Sequence, residues 1–236
     1  MLVLRSLLFM AYLYLSMVFM GVVMSPFLLA PRPVAMRLVQ GWARTVLGAA
    51  RILCGIKVEV RGLEHRPSGG ALIAAKHQGM LDVIAPFTFL DDPCFVMKQE
   101  LLSLPFFGWY AKKLRMVPVD RSAQAAALRK MVTDTNARLE DVRQVVIFPE
   151  GTRTEPGAEP DYKPGVAALY RDLNYPCELI ATNSGLCWPA HGFIRKPGTV
   201  VFEFLEPLPA GLKRGQFMTE MQTRIEAAST KLLEAR

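Results

Sequence analysis

The 236-residue chain has only three histidines and four cysteines, and that scarcity narrows the chemistry. Cys54, Cys94, Cys177 and Cys187 contain no CxxC pair and show no zinc-like spacing with a histidine, so neither a metal site nor a disulfide framework is indicated. They read as small buried thiols of a reducing compartment. There is no GxSxG elbow, and Ser184 in "TNSG" is not in the setting that makes a serine nucleophilic. Internal repeats are absent, as are nucleic-acid recognition motifs and basic stripes with interleaved aromatics. The net charge of +7 therefore suits a phospholipid surface, a phosphorylated substrate or an acidic carrier, and nucleic acid is not expected.

Charge is missing altogether from residues 6–30, "SLLFMAYLYLSMVFMGVVMSPFLLA". As a helix these roughly 25 residues would extend about 37 Å, against a hydrocarbon core of about 30 Å. The run is longer than the apolar segment of a signal peptide, and "FLLA" places Leu28 where a cleavage site wants a small residue. A retained helix that crosses or enters the bilayer is expected. Arg32, Arg37, Arg44 and Arg51 follow the run, and Arg5 alone precedes it. This asymmetry places the rest of the chain on the cytoplasmic side.

After "PRP" the pattern turns helical, with Arg37, Arg44 and Arg51 one heptad apart and so near one face. Such a basic amphipathic helix can lie among headgroups, with Trp42 at the interface. From about Lys57 onward, short apolar runs such as "ALIAA", "CFVM", "VVIF" and "ELIAT" alternate with helical segments. That alternation predicts an α/β domain, its largely parallel sheet flanked by helices, closed by a surface helix over 213–236.

Two stretches could carry chemistry. In "AAKHQGMLD", His77 and Asp82 are five positions apart with Gly79 between. On one continuous helix their side chains would diverge by about 140°. They can meet if His77 leaves a strand and Asp82 begins a helix, where a carboxylate is favourable. A carboxylate on one imidazole nitrogen fixes the tautomer and leaves the other free to take a proton. In "VVIFPEGTRT", Glu150, Gly151, Thr152 and Arg153 follow an apolar strand, at the end where open α/β sheets place ligands. Gly151 permits a tight turn, Thr152 offers a hydroxyl, and Arg153 has a planar fork suited to phosphate.

With both stretches in hand, the chain resembles the glycerolipid acyltransferase family, most closely its bacterial 1-acyl-sn-glycerol-3-phosphate acyltransferases. Four blocks carry the likeness in order, "KHQGMLD", "RMVPVDRS", "FPEGTRT" and "LIATNSG", over about residues 57–210. The last block departs from many members in having Leu179 in place of a proline, with Glu178 before it. Taken with the apolar and basic helices before it and the helical tail after it, the resemblance divides the chain into membrane-attachment helices over 1–56, an acyltransferase domain over 57–212 and a C-terminal helix over 213–236. It implies His77 as general base, Asp82 as its orienting partner, and Glu150, Gly151, Thr152 and Arg153 as the acceptor's phosphate site, with Arg121 and Lys98 as further cations. The reaction so implied moves an acyl chain from acyl carrier protein or coenzyme A to the hydroxyl of a lysophospholipid, without cofactor or metal. Three alternatives stay open on sequence: another acceptor such as lyso-ornithine lipid, a thioesterase in which His77 activates water, and a non-catalytic lipid-binding protein.

Overall fold

Two α-helices precede the first strand in the computed structural model, which describes residues 1–234; at 123 and 124 only the backbone is described. They are α1 (Leu2–Val22) and α2 (Arg32–Ala49). The strand-bearing part runs β1 (Ile56–Arg61), β2 (Ala71–Ala75), α3 (Leu81–Ile84), α4 (Pro86–Phe89), β3 (Pro93–Lys98), α5 (Phe107–Lys113) and β4 (Val117–Val119). It continues with α6 (Gln124–Glu140), β5 (Gln144–Ile147), α7 (Gly165–Leu173), β6 (Cys177–Thr182), β7 (Gly198–Leu208) and α8 (Arg214–Glu234). The last two residues of the helix expected over 213–236 lie outside the described residues.

The strands form a seven-stranded sheet in the order β1-β7-β6-β2-β5-β3-β4. The five from β6 to β4 are mutually parallel. Every residue of β2 and of β5 is buried, as a central parallel strand covered on both faces requires. β7 runs antiparallel to β6 and carries β1 parallel to itself. No α-helix intervenes between β6 and β7 to bring the chain back across the sheet, so the two neighbours run in opposite directions.

Parallel pairing gathers the loops that matter at one edge. Ala74 of β2 is in register with Ile147 of β5, and Ala75 with Ile180 of β6. The segments leaving these strands, 76–80, 148–154 and 183–186, therefore emerge side by side.

One hydrophobic cluster extends from Phe9 and Leu13 of α1 through β2 and β5 to Phe217 and Ile225 of α8. The ring of Phe9 packs edge-on against Trp188 at 5.0 Å, and both side chains are fully buried. Each end of α1 is fastened to the rest of the chain. Arg5 donates to the Leu53 carbonyl at 2.5 Å, and the Tyr110 hydroxyl donates to the carbonyls of Met20 and Met24 at 3.0 and 3.1 Å. Gly21 lets α1 approach closely, because a Cβ there would lie 2.0 Å from the Phe106 ring.

α1 is long and apolar enough to cross a membrane by length and composition. Of its 21 residues only Ser6, Phe9, Leu13 and Gly21 are buried; Leu4, Leu7, Leu8, Leu15 and Phe19 are among those exposed. Arg37, Arg44 and Arg51 are all exposed, as their heptad spacing predicts. Trp42 differs from expectation: its ring nitrogen donates to Ser16 of α1 at 3.0 Å, so its polar edge joins the two helices and does not face headgroups.

Candidate active site

His77 is the second residue past β2, and α3 begins four residues later at Leu81. The intervening turn depends on Gly79, whose missing Cβ would stand 2.4 Å from the Trp188 carbonyl oxygen. With the chain folded this tightly, Asp82 in the first turn of α3 points back at the loop. Its Oδ2 lies 3.1 Å from His77 Nδ1 and accepts the backbone N–H groups of Gln78 and Gly79 at 2.5 and 2.8 Å. Asp82 is buried, and its Oδ1 has no partner among the described residues. A carboxylate only accepts, so Nδ1 carries the imidazole proton and Nε2 is left as the basic nitrogen. The His77 ring also stacks on Phe148, with centroids 4.0 Å apart and planes 16° from parallel.

The turn after β5 meets this loop through main-chain contacts. Thr154 N–H donates to the His77 carbonyl at 2.8 Å. Gly151 has φ of 66°, a left-handed conformation that glycine adopts without strain. The Arg121 side chain donates to the Gly151 carbonyl at 2.6 Å, which brings the "DRS" segment after β4 to the same turn. Thr152 and Arg153 are exposed. One Arg153 nitrogen donates to the Ala190 carbonyl at 3.3 Å, and among the described residues no carboxylate pairs with it.

Glu150 departs from its expected place in a phosphate site. It is 1% exposed and both oxygens are committed, Oε1 to Lys76 Nζ at 2.7 Å and Oε2 to the His77 backbone N–H at 3.1 Å. An inward, negatively charged group would in any case repel a phosphate. Its contacts brace the His77 loop. Lys98 also differs: it is half exposed at the end of β3, 3.8 Å from Glu100, and among the described residues no ion pair joins it to the turn at 150–153. The structure thus brings together His77, Asp82, Glu150, Gly151 and Arg121, sets Thr152 and Arg153 at the outer side of the same turn, and leaves Lys98 apart.

Lys76, 3% exposed, and Phe148 escaped notice in the sequence. A lysine at the end of an otherwise apolar strand was the available signal, since a charge in that position must find a partner.

Residues 57–182 match the family model described as Acyltransferase. The chain belongs to the acyltransferase family. It is 34% identical over 189 residues to a 1-acyl-sn-glycerol-3-phosphate acyltransferase of Pseudomonas aeruginosa, covering 80% of this chain and 74% of that one. Identity to the enzyme of the same name from Limnanthes alba is 27% over 188 residues, 77% of this chain and 65% of the relative. The crystal structure of the 1-acyl-sn-glycerophosphate acyltransferase from Thermotoga maritima shares the fold of this acyltransferase, with a TM-score of 0.81 at 20% identity, covering 100% of this chain and 99% of that one.

Proposed function

We propose that this acyltransferase moves an acyl chain from a thioester donor, acyl carrier protein or coenzyme A, to the free hydroxyl of 1-acyl-sn-glycerol-3-phosphate, giving phosphatidic acid. The observation that carries the reading is the His77–Asp82 pair at the carboxyl end of β2, joined by the Thr154–His77 bond to a turn that presents Arg153 outward.

In this mechanism the acceptor hydroxyl gives its proton to His77 Nε2 as its oxygen attacks the thioester carbonyl carbon. Asp82 stabilises the resulting imidazolium through Nδ1–H. When the tetrahedral intermediate collapses, the carbon–sulfur bond breaks and the departing thiolate takes the proton back from Nε2. The enzyme forms no covalent bond with the acyl group. A positioned acid-base group contributes about 10² to 10⁴ in rate. Arg153, with its fork unpaired by carboxylate, holds the acceptor's phosphate, and Thr152 and Arg121 complete that side of the turn.

The apolar outer face of α1 supports attachment to a bilayer, where the acceptor resides, and the exposed arginines of α2 suit anionic headgroups. With the positive-inside asymmetry, the site then lies on the cytoplasmic side of the inner membrane.

The test is purified full-length protein assayed with lysophosphatidic acid and with lyso-ornithine lipid, each with acyl carrier protein and coenzyme A thioesters. Phosphatidic acid is the expected product. Free fatty acid released equally fast with and without acceptor would identify a thioesterase, and transfer to lyso-ornithine lipid alone would remove the phosphate site.

A further inference from the structure

The loop bearing His77 is tied to a helix that lies beyond the residues matched to the family. Lys76 Nζ sits 2.7 Å from Glu150 Oε1 and also 2.7 Å from Oε1 of Glu226, on α8. The Tyr162 hydroxyl donates to that same Glu226 oxygen at 2.9 Å. Burial and the Glu226 carboxylate push the Tyr162 phenol far above its ordinary range, so it remains a donor. One carboxylate thereby joins the end of β2, the loop that follows the 150–153 turn, and the closing helix.

We propose that Glu226, assisted by Tyr162, is a positioning residue for acyl transfer: it fixes Lys76, Lys76 fixes Glu150, and Glu150 fixes the backbone of His77. The proposal rests on the reading of His77 as the general base. Lysine presents a point charge on a flexible stem, so a single ion pair leaves its direction loose. The second carboxylate removes that freedom. With Lys76 Nζ held between two acceptors, Glu150 Oε1 is occupied and Oε2 is aimed at the His77 N–H. A cavity of about 490 Å³ borders Lys76, Gln78, Glu226 and Ser229. Once Glu226 no longer holds it, the ammonium has room to swing that way, and the Glu150 carboxylate turns with it. The His77 amide then loses its acceptor while Arg153 and the outer side of the turn stay in place.

The test uses full-length Glu226→Gln and Tyr162→Phe, with Glu220→Gln as control. Glu220 is on the same helix, and among the described residues its side chain bonds to Gln216 and Arg224. Both test variants should lower kcat about tenfold and leave KM for acceptor and donor within about twofold, a fraction of the roughly hundredfold that a 1 Å misplacement costs. Hydrogen exchange at the amides of residues 77–79 should quicken about tenfold. Glu226→Gln should cost nothing further in a Lys76→Met background, where the path is already cut. Unchanged kcat and exchange in both variants overturn the proposal, and so does the same change in Glu220→Gln or a quickening spread over the whole sheet. Exchange needs no substrate, so it decides the proposal even where transfer itself fails.

Discussion

β2 and α1 are both uncharged apart from Arg5, yet they bury their side chains in opposite proportions. All five residues of β2 are buried. Only four of the 21 in α1 are buried, and much of what it exposes is leucine, valine and phenylalanine. Apolar content alone therefore does not decide whether a segment enters the core. A strand in mid-sheet has both faces covered by its own chain, whereas α1 has one face covered and one turned outward. The uncovered face is what an apolar phase would complete.

That contrast can be broken at either region, starting with the largest effect. His77→Ala, just past β2, should cut transfer by about 10² to 10⁴, measured as initial rate, while leaving folding and membrane association intact. Phe9→Ala on the inner face of α1 should cost about 3 to 5 kcal/mol of stability by thermal or denaturant unfolding, since it empties a fully buried site against Trp188. Arg153→Ala should raise the acceptor KM tenfold or more with kcat little changed, in line with about 1.5 to 3 kcal/mol for a hydrogen bond to a charged group. On the outer face of α1, Leu15→Ser with Phe19→Ser should change unfolding stability by less than about 0.5 kcal/mol each, while sedimentation with anionic vesicles weakens severalfold. If these two exchanges instead destabilise the fold as Phe9→Ala does, α1 has no outer face. Smallest of all is the response to thiol reagents. All four cysteines are buried, and burial pushes the Cys177 thiol up to about 12, so iodoacetamide at pH 8 should leave activity and mass unchanged until the protein is unfolded.

The parallel part of the sheet was legible because each buried strand is a short continuous apolar run, and the His77–Asp82 pairing was legible because its spacing makes sense only across a strand-to-helix turn. The reversed β1–β7 pair was not legible, since direction within a sheet depends on connections and has no local signature. Glu150 was named with the phosphate site, yet its side chain turns inward. In a turn, the choice between inward and outward is made by a partner elsewhere, here Lys76 in the neighbouring strand's loop. The link from Lys76 to Glu226 joins residues 150 positions apart, and no periodicity reports a contact of that range. Trp42 was misplaced for the same reason: its partner, Ser16, lies on another helix.

Trp188 has Phe9 of α1 against its ring and Gly79 against its carbonyl oxygen. Amputating the first helix to obtain a more tractable version would consequently do more than remove an apolar surface. It would lay bare the indole whose backbone walls the bend between the histidine and the aspartate, so a trimmed preparation that loses turnover would report a missing buttress as much as a missing lipid contact.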